Sequence, residues 1–129
     1  MTVLNEGRHP GEFLMSEANR QRSRENITIV SGSGIIAPGT VLGKFTSGAN
    51  AGKYGPAPAA AADPDVGNQT AVAVALYGCD ATSGDQKIAA VARDAEVNGK
   101  TLTYASSVND DAKKAAKIAQ LAAVGIIVR

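Results

Sequence analysis

The chain has 129 residues, with 13 Lys plus Arg against 12 Asp plus Glu and a formal net charge of +1. That length suits one domain, and so even a balance leaves no global field to steer the chain onto nucleic acid or an anionic membrane. No apolar run approaches the ~20 residues a membrane-spanning helix needs, and the first residues lack the basic-then-apolar pattern of an export signal, so synthesis in the cytoplasm is expected.

Hydrophobic residues make up 44% of the chain, but much of that is alanine, and the only aromatics are Phe13, Phe45, Tyr54, Tyr77 and Tyr104. Large side chains supply most buried apolar area, so an alanine-rich core stabilises a lone small domain weakly. Self-association is one remedy. The single cysteine, Cys79, rules out an internal disulfide and ends an apolar strand-like run, where a small half-buried residue is expected. The sole histidine, His9, is remote from it in sequence, so a Cys–His nucleophile pair has little support.

Residues 1–33 differ from the rest. Phe13, Leu14 and Met15 form a small apolar cluster in a polar segment, Arg20, Arg22 and Arg24 alternate with polar residues, and Ile27-Thr28-Ile29-Val30 is a short β-prone run. Apolar periodicity here is too sparse for a separate core, which suggests an extended arm that orders on a partner. Two other readings stay open: Ile27–Val30 as the first strand of the domain, and Ser16–Arg22 as a short solvated helix.

The domain proper is expected over residues 34–129. Pro38-Gly39 marks a turn, Thr40–Phe45 a strand, and Ser47–Gly52 a hairpin connection rather than a phosphate loop, since neither glycine spacing matches one. The Pro- and Ala-rich stretch Pro56–Asp65 reads as a surface loop. Ala71–Leu76 is a nearly continuous small apolar run, consistent with a strand buried on both faces, and Gln86–Val91 is another strand. Asn98-Gly99 is the strongest hairpin signal, joining Arg93–Val97 to a strand over Lys100–Tyr104. One helix follows, with Asn109 as N-cap and Asp110 and Asp111 near its positive end. Ala112, Ala115, Ala116, Ala119, Ala122 and Ala123 recur at helical spacing beside Ile118, and Lys113, Lys114, Lys117 and Gln120 are expected on an opposite, solvated face. Gly125 stops the helix and Ile126–Val128 closes the chain as a strand.

Catalytic chemistry is missing. Asp63, Asp65, Asp80, Asp85, Asp94 and Glu96 fall in or near turns, where carboxylates bond to backbone, and neither an EF-hand spacing nor a His/Cys cluster occurs. The chain is expected to be no enzyme and to carry no metal or cofactor.

Taken in order, Ala37-Pro38-Gly39-Thr40-Val41-Leu42, the run Ala71–Leu76, Lys100–Tyr104, Asn109-Asp110-Asp111-Ala112-Lys113-Lys114 and Gly125–Val128 resemble the head decoration protein D family of lambda-like phages. Gly11–Asn19 with Ser23–Asn26 resembles a prophage branch of that family with a longer arm. The resemblance implies a mainly β protein: a small β-clip or barrel-like domain with one helix in its C-terminal region and an extended N-terminal arm. It implies homotrimers at the three-fold positions outside an expanded capsid, stabilising the head against internal DNA pressure. The major capsid protein and the chain itself are then the partners, with no nucleic acid and no membrane among them. The arm would add a strand to the capsid protein, with Phe13, Leu14, Met15, Arg20, Arg22, Arg24, Ile27, Thr28, Ile29 and Val30 as its contacts. A different class of function also fits a β-rich chain: an adhesion or receptor-binding module using the Pro/Ala loop as its recognition tip.

Overall fold

The computed structural model describes residues 2–129. In chain order the first elements are β1 (Leu14–Glu17), α1 (Arg20–Ser23), β2 (Arg24–Ile29), β3 (Gly34–Ile36), β4 (Val41–Lys44) and β5 (Tyr54–Pro56). β6 (Ala71–Ala75), β7 (Cys79–Ala81), β8 (Gln86–Val91) and β9 (Ala95–Val97) follow, then a 3-10 turn (Gly99–Thr101), α2 (Asp111–Ala123) and β10 (Ile126–Val128). The protein is mainly β with one long helix near its C-terminal end, as expected. Five strands close a barrel in the order β2-β5-β4-β6-β8, β1-β9-β10 form a three-stranded sheet, and β3-β7 form a separate ribbon.

The period-two alternation of the barrel strands divides their side chains between two cores. Ile27 and Ile29 of β2, Leu42 of β4, Tyr54 of β5, Ala73 and Ala75 of β6, and Ile88 and Ala90 of β8 form one cluster. Because every barrel strand contributes to it, this cluster is the barrel interior. Its alanines suit a narrow five-stranded barrel, whose lumen has room for few large side chains. Val41, Val74 and Val91 point the other way and, with Ala71 beyond a register shift at the start of β6, pack with Phe13, Val97, Leu121 and Ile126. The second core therefore lies between the barrel wall, the three-stranded sheet and α2, which packs against both β6 and β10. β6 is buried on both faces for this reason, as its unbroken apolar run suggested. At Gly43 an added Cβ would collide with the Asn68 carbonyl, so the loop ahead of β6 crosses β4 at a distance only glycine permits.

The Ser47–Gly52 connection is a hairpin, with β4 and β5 antiparallel and Gly52 and Gly48 both at positive φ. The hairpin expected at Asn98-Gly99 is absent. β9 already pairs antiparallel with β1 and parallel with β10, so neither edge is open to a returning strand. Asn98 instead caps the 3-10 turn by accepting from the Lys100 N–H at 3.0 Å, and residues 102–104 run on with a single bridge, Thr40 to Thr103.

α2 is rotated relative to its expected orientation. Asp110, not Asn109, is the N-cap, accepting from the Lys113 N–H at 2.8 Å. The six alanines face solvent, while Lys117 is 2% exposed and Leu121 fully buried. The stem of Lys117 supplies apolar area that an alanine lacks, and its ammonium donates to the Gln69 carbonyl. Gln120 accepts from the Ala71 N–H at 2.8 Å, so two polar residues of α2 satisfy the backbone where β6 begins. Alanine on the outer face still favours the helix through its intrinsic propensity.

Residues 13–33, expected in the arm, belong to the folded domain. β1 pairs with β9, β2 closes the barrel, and Phe13 and Ile29 are fully buried. The unrecognised partners were distant in sequence: β2 lies against β8 in an antiparallel ladder from Arg24↔Val91 to Ile29↔Gln86.

Burial keeps the pKa of Lys117 below its usual value. The unfolded chain then holds that proton more tightly, so stability rises as pH climbs from the folded-state pKa towards the unfolded one. Lys117→Ala should lower the unfolding free energy by about 2–4 kcal/mol and flatten that alkaline rise. Ala119→Ser should stay within about 0.5 kcal/mol. Urea titrations across the alkaline range measure both, and the opposite ranking would restore the alanine-inward helix.

Candidate functional site

Ahead of β1, residues 2–10 are exposed and residues 2–9 carry no regular secondary structure. Val3 is 76% and Leu4 90% exposed, an unusual placement for two adjacent aliphatic residues. Among the described residues its polar side-chain contacts are local, with Arg8 paired to Glu12 at 3.2 Å and the His9 ring 3.2 Å from Glu6. It joins the fold where the Gly11 N–H donates to the Leu76 carbonyl at 3.2 Å and Phe13 enters the second core.

β1, which follows, is an edge strand of its sheet, with Met15 57% exposed beside it. A strand edge with unpaired backbone groups is a template for another chain. The turn after β1 is held firmly. Arg24 donates to both Glu17 oxygens, at 3.0 and 2.5 Å, and the buried Ser23 hydroxyl donates to the same carboxylate at 2.6 Å. The Arg24 hydrogen bonds hold the Glu17 carboxyl below its usual range. Arg22 pairs with Asp94 at 3.3 Å, and its carbonyl accepts from Arg93 at 2.6 Å.

The ten residues expected to contact a capsid therefore separate. Phe13, Ile27, Ile29 and Val30 are buried, Leu14, Arg24 and Thr28 are half-buried, and Met15, Arg20 and Arg22 face solvent. Val3 and Leu4 carry no periodic signal in a polar stretch, so their exposure is visible only in three dimensions.

The carboxylates serve the backbone and nearby cations. Asp80 accepts from the Thr82 N–H and hydroxyl, Asp85 from the Ser31 N–H and Lys53, and Asp65 from the Gly67 N–H. Asp94 has φ of 52°, and Glu96 pairs with Arg129 at 3.3 Å. Burial pushes the Cys79 thiol pKa up, which opposes nucleophile chemistry. Among the described residues no group of three or more His, Cys, Asp or Glu could hold a metal ion, and no helix is long and apolar enough to cross a membrane.

The described residues thus form a small β-barrel with an exposed leading segment and a free edge on β1. The family model of the bacteriophage lambda head decoration protein D matches residues 3–126, nearly the whole chain, and the chain belongs to that family. Comparison with curated proteins returned no match. The family is structural rather than catalytic, and its place is the phage head.

Ile29→Ala should cost about 2–5 kcal/mol of stability, as for other buried aliphatics, while Leu4→Ala should change it by less than about 0.5 kcal/mol. Chemical denaturation of the two variants checks this; equal, small effects would remove β2 from the folded unit.

Proposed function

We propose that the chain is a cement protein that binds as trimers at three-fold positions outside the expanded phage head and stabilises it against the pressure of packaged DNA. The observation that carries the reading is the exposed segment 2–10 leading into the free edge of β1, in a member of the head decoration family. The major capsid protein is the proposed partner.

Val3 and Leu4 supply apolar area that burial against a capsid subunit would remove from water, and that gain offsets the ordering of the segment. Met15 and Arg20 lie on adjoining exposed surface and extend the contact. Pairing of main chain along β1 would add affinity without a side-chain pocket. The barrel itself needs no rearrangement, since β2 remains paired on both sides. Three such segments on one trimer bind together with a high effective concentration, so a weak single contact becomes a durable clip. Phe13 and Ile27–Val30 act in this scheme by holding the barrel from which the segment projects.

The test is binding of a chain lacking residues 1–9 to undecorated expanded capsids. Its thermal unfolding should match that of the full chain, and its retention on capsids should be lost. Undiminished retention would contradict the role given to the segment.

A further inference from the structure

Asn98-Gly99 is the only Asn-Gly step in the chain, and both residues are required where they stand. The Asn98 side chain accepts from the Lys100 N–H at 3.0 Å and so caps the 3-10 turn. A Cβ on residue 99 would come within 2.8 Å of the Val128 Cγ1 and 3.2 Å of the Arg129 carbonyl oxygen. The packing of β10 therefore calls for glycine at this position.

The same pairing is chemically labile. The amide nitrogen that follows an asparagine can attack the side-chain carbonyl carbon, and glycine, lacking a side chain, hinders that attack least. The N–H gives up its proton, the new C–N bond closes a cyclic imide, and the carboxamide nitrogen leaves as ammonia. Water then opens the ring. Cleavage at the former side-chain carbonyl gives aspartate, and cleavage at the main-chain carbonyl gives isoaspartate, with an extra methylene in the backbone.

Here both reacting groups are occupied. The Gly99 N–H, whose nitrogen must attack, donates to the Arg129 carbonyl at 2.9 Å. The Asn98 main chain is held on both sides: its N–H donates to the Phe13 carbonyl at 2.8 Å, and its carbonyl accepts from the Thr101 N–H at 3.1 Å. Turning the carboxamide carbon towards the Gly99 nitrogen breaks the cap, and freeing that nitrogen needs the end of β10 to lift. Both residues are half-buried and Gly99 lines a groove beside α2, so water reaches them once the strand moves.

We infer that Asn98 is a self-modification site gated by β10: it deamidates through its own main chain when the Val128–Arg129 end opens, and the paired state protects it. Its position sets the consequence. Through Phe13 and Arg129, Asn98-Gly99 ties the start of β1 to the end of β10. Aspartate keeps the cap. Isoaspartate lengthens the backbone between the N–H bound to Phe13 and the N–H bound to Arg129, so the two hydrogen bonds no longer fit together. The junction that seats Phe13, and with it the root of the leading segment, loosens as conversion proceeds.

Peptide mass spectrometry of the full-length chain, aged in mildly alkaline buffer, reads conversion at Asn98. The folded chain should convert at least about tenfold more slowly than the chain unfolded in guanidinium chloride, since reaction requires an opening of the structure. Deleting Arg129 removes the accepting carbonyl and should speed conversion severalfold. Arg129→Pro keeps that carbonyl but removes the N–H that ties β10 to the Val97 carbonyl at 2.8 Å, and should act in the same direction. Circular dichroism identifies which variants are folded, and Asn109, outside the junction, should convert at its native rate in them. Equal rates in the folded and unfolded native chain would overturn the gating, as would folded variants that convert no faster than the native chain. The isoaspartate form, separated by ion exchange, should melt below the unconverted chain; unchanged melting would overturn the consequence drawn for the junction.

Discussion

The antiparallel ladder between β2 and β8 is the constraint on which the structure depends. It runs the full length of β2, whereas the parallel contact with β5 is confined to Ile29↔Tyr54. Without β2 the sheet would present two open edges, and the barrel interior would lose Ile27 and Ile29. Those isoleucines matter more because much of the remaining lining is alanine, which buries little area. The ladder also places the chain entering it. Glu17, Ser23 and Arg24 lock the turn from β1 into β2, and Phe13 pins the start of β1 beneath the second core. Residues 2–10, ahead of it, are exposed.

This arrangement divides the described residues into a packed domain and an exposed leading segment. The closed barrel has no free edge of its own, so the free strand edges lie in the smaller sheet and the ribbon. The aliphatic residues of the leading segment remain exposed because the folded domain already has its cores filled by residues further along. The charges follow the same division. Arginines that alternate near β2 are used largely within the chain, Arg24 against Glu17 and Arg22 against Asp94.

The mainly β class, the Ser47–Gly52 connection, the two-faced strand Ala71–Ala75 and the existence of α2 were legible because each has a local signature: alternation, turn residues or helical spacing. The arm boundary was not. β2 is half polar, with Glu25 and Asn26 exposed and Arg24 half-buried against Glu17, and its partner lies some sixty residues later, so no local pattern shows that Ile27 and Ile29 are interior. The orientation of α2 was misread for a different reason. Counting alanine as apolar and lysine as solvated overlooks area: the stem of Lys117 and Leu121 bury more than the alanine face could. At Asn98-Gly99 a strong turn signal yielded to tertiary pairing, because β1 and β10 occupy both edges of β9. The arm was expected to run to residue 33, whereas burial begins at Phe13.

Hydrogen exchange read peptide by peptide, with and without expanded capsids, tests that division directly. In the free protein the amides of residues 24–29 should be protected like those of β6 and β8, while residues 2–9 exchange at once. On capsids, new protection should appear in residues 2–9 and leave β2 unchanged. Rapid exchange through residue 30 in the free chain, with protection of that whole stretch only on the capsid, would contradict the account.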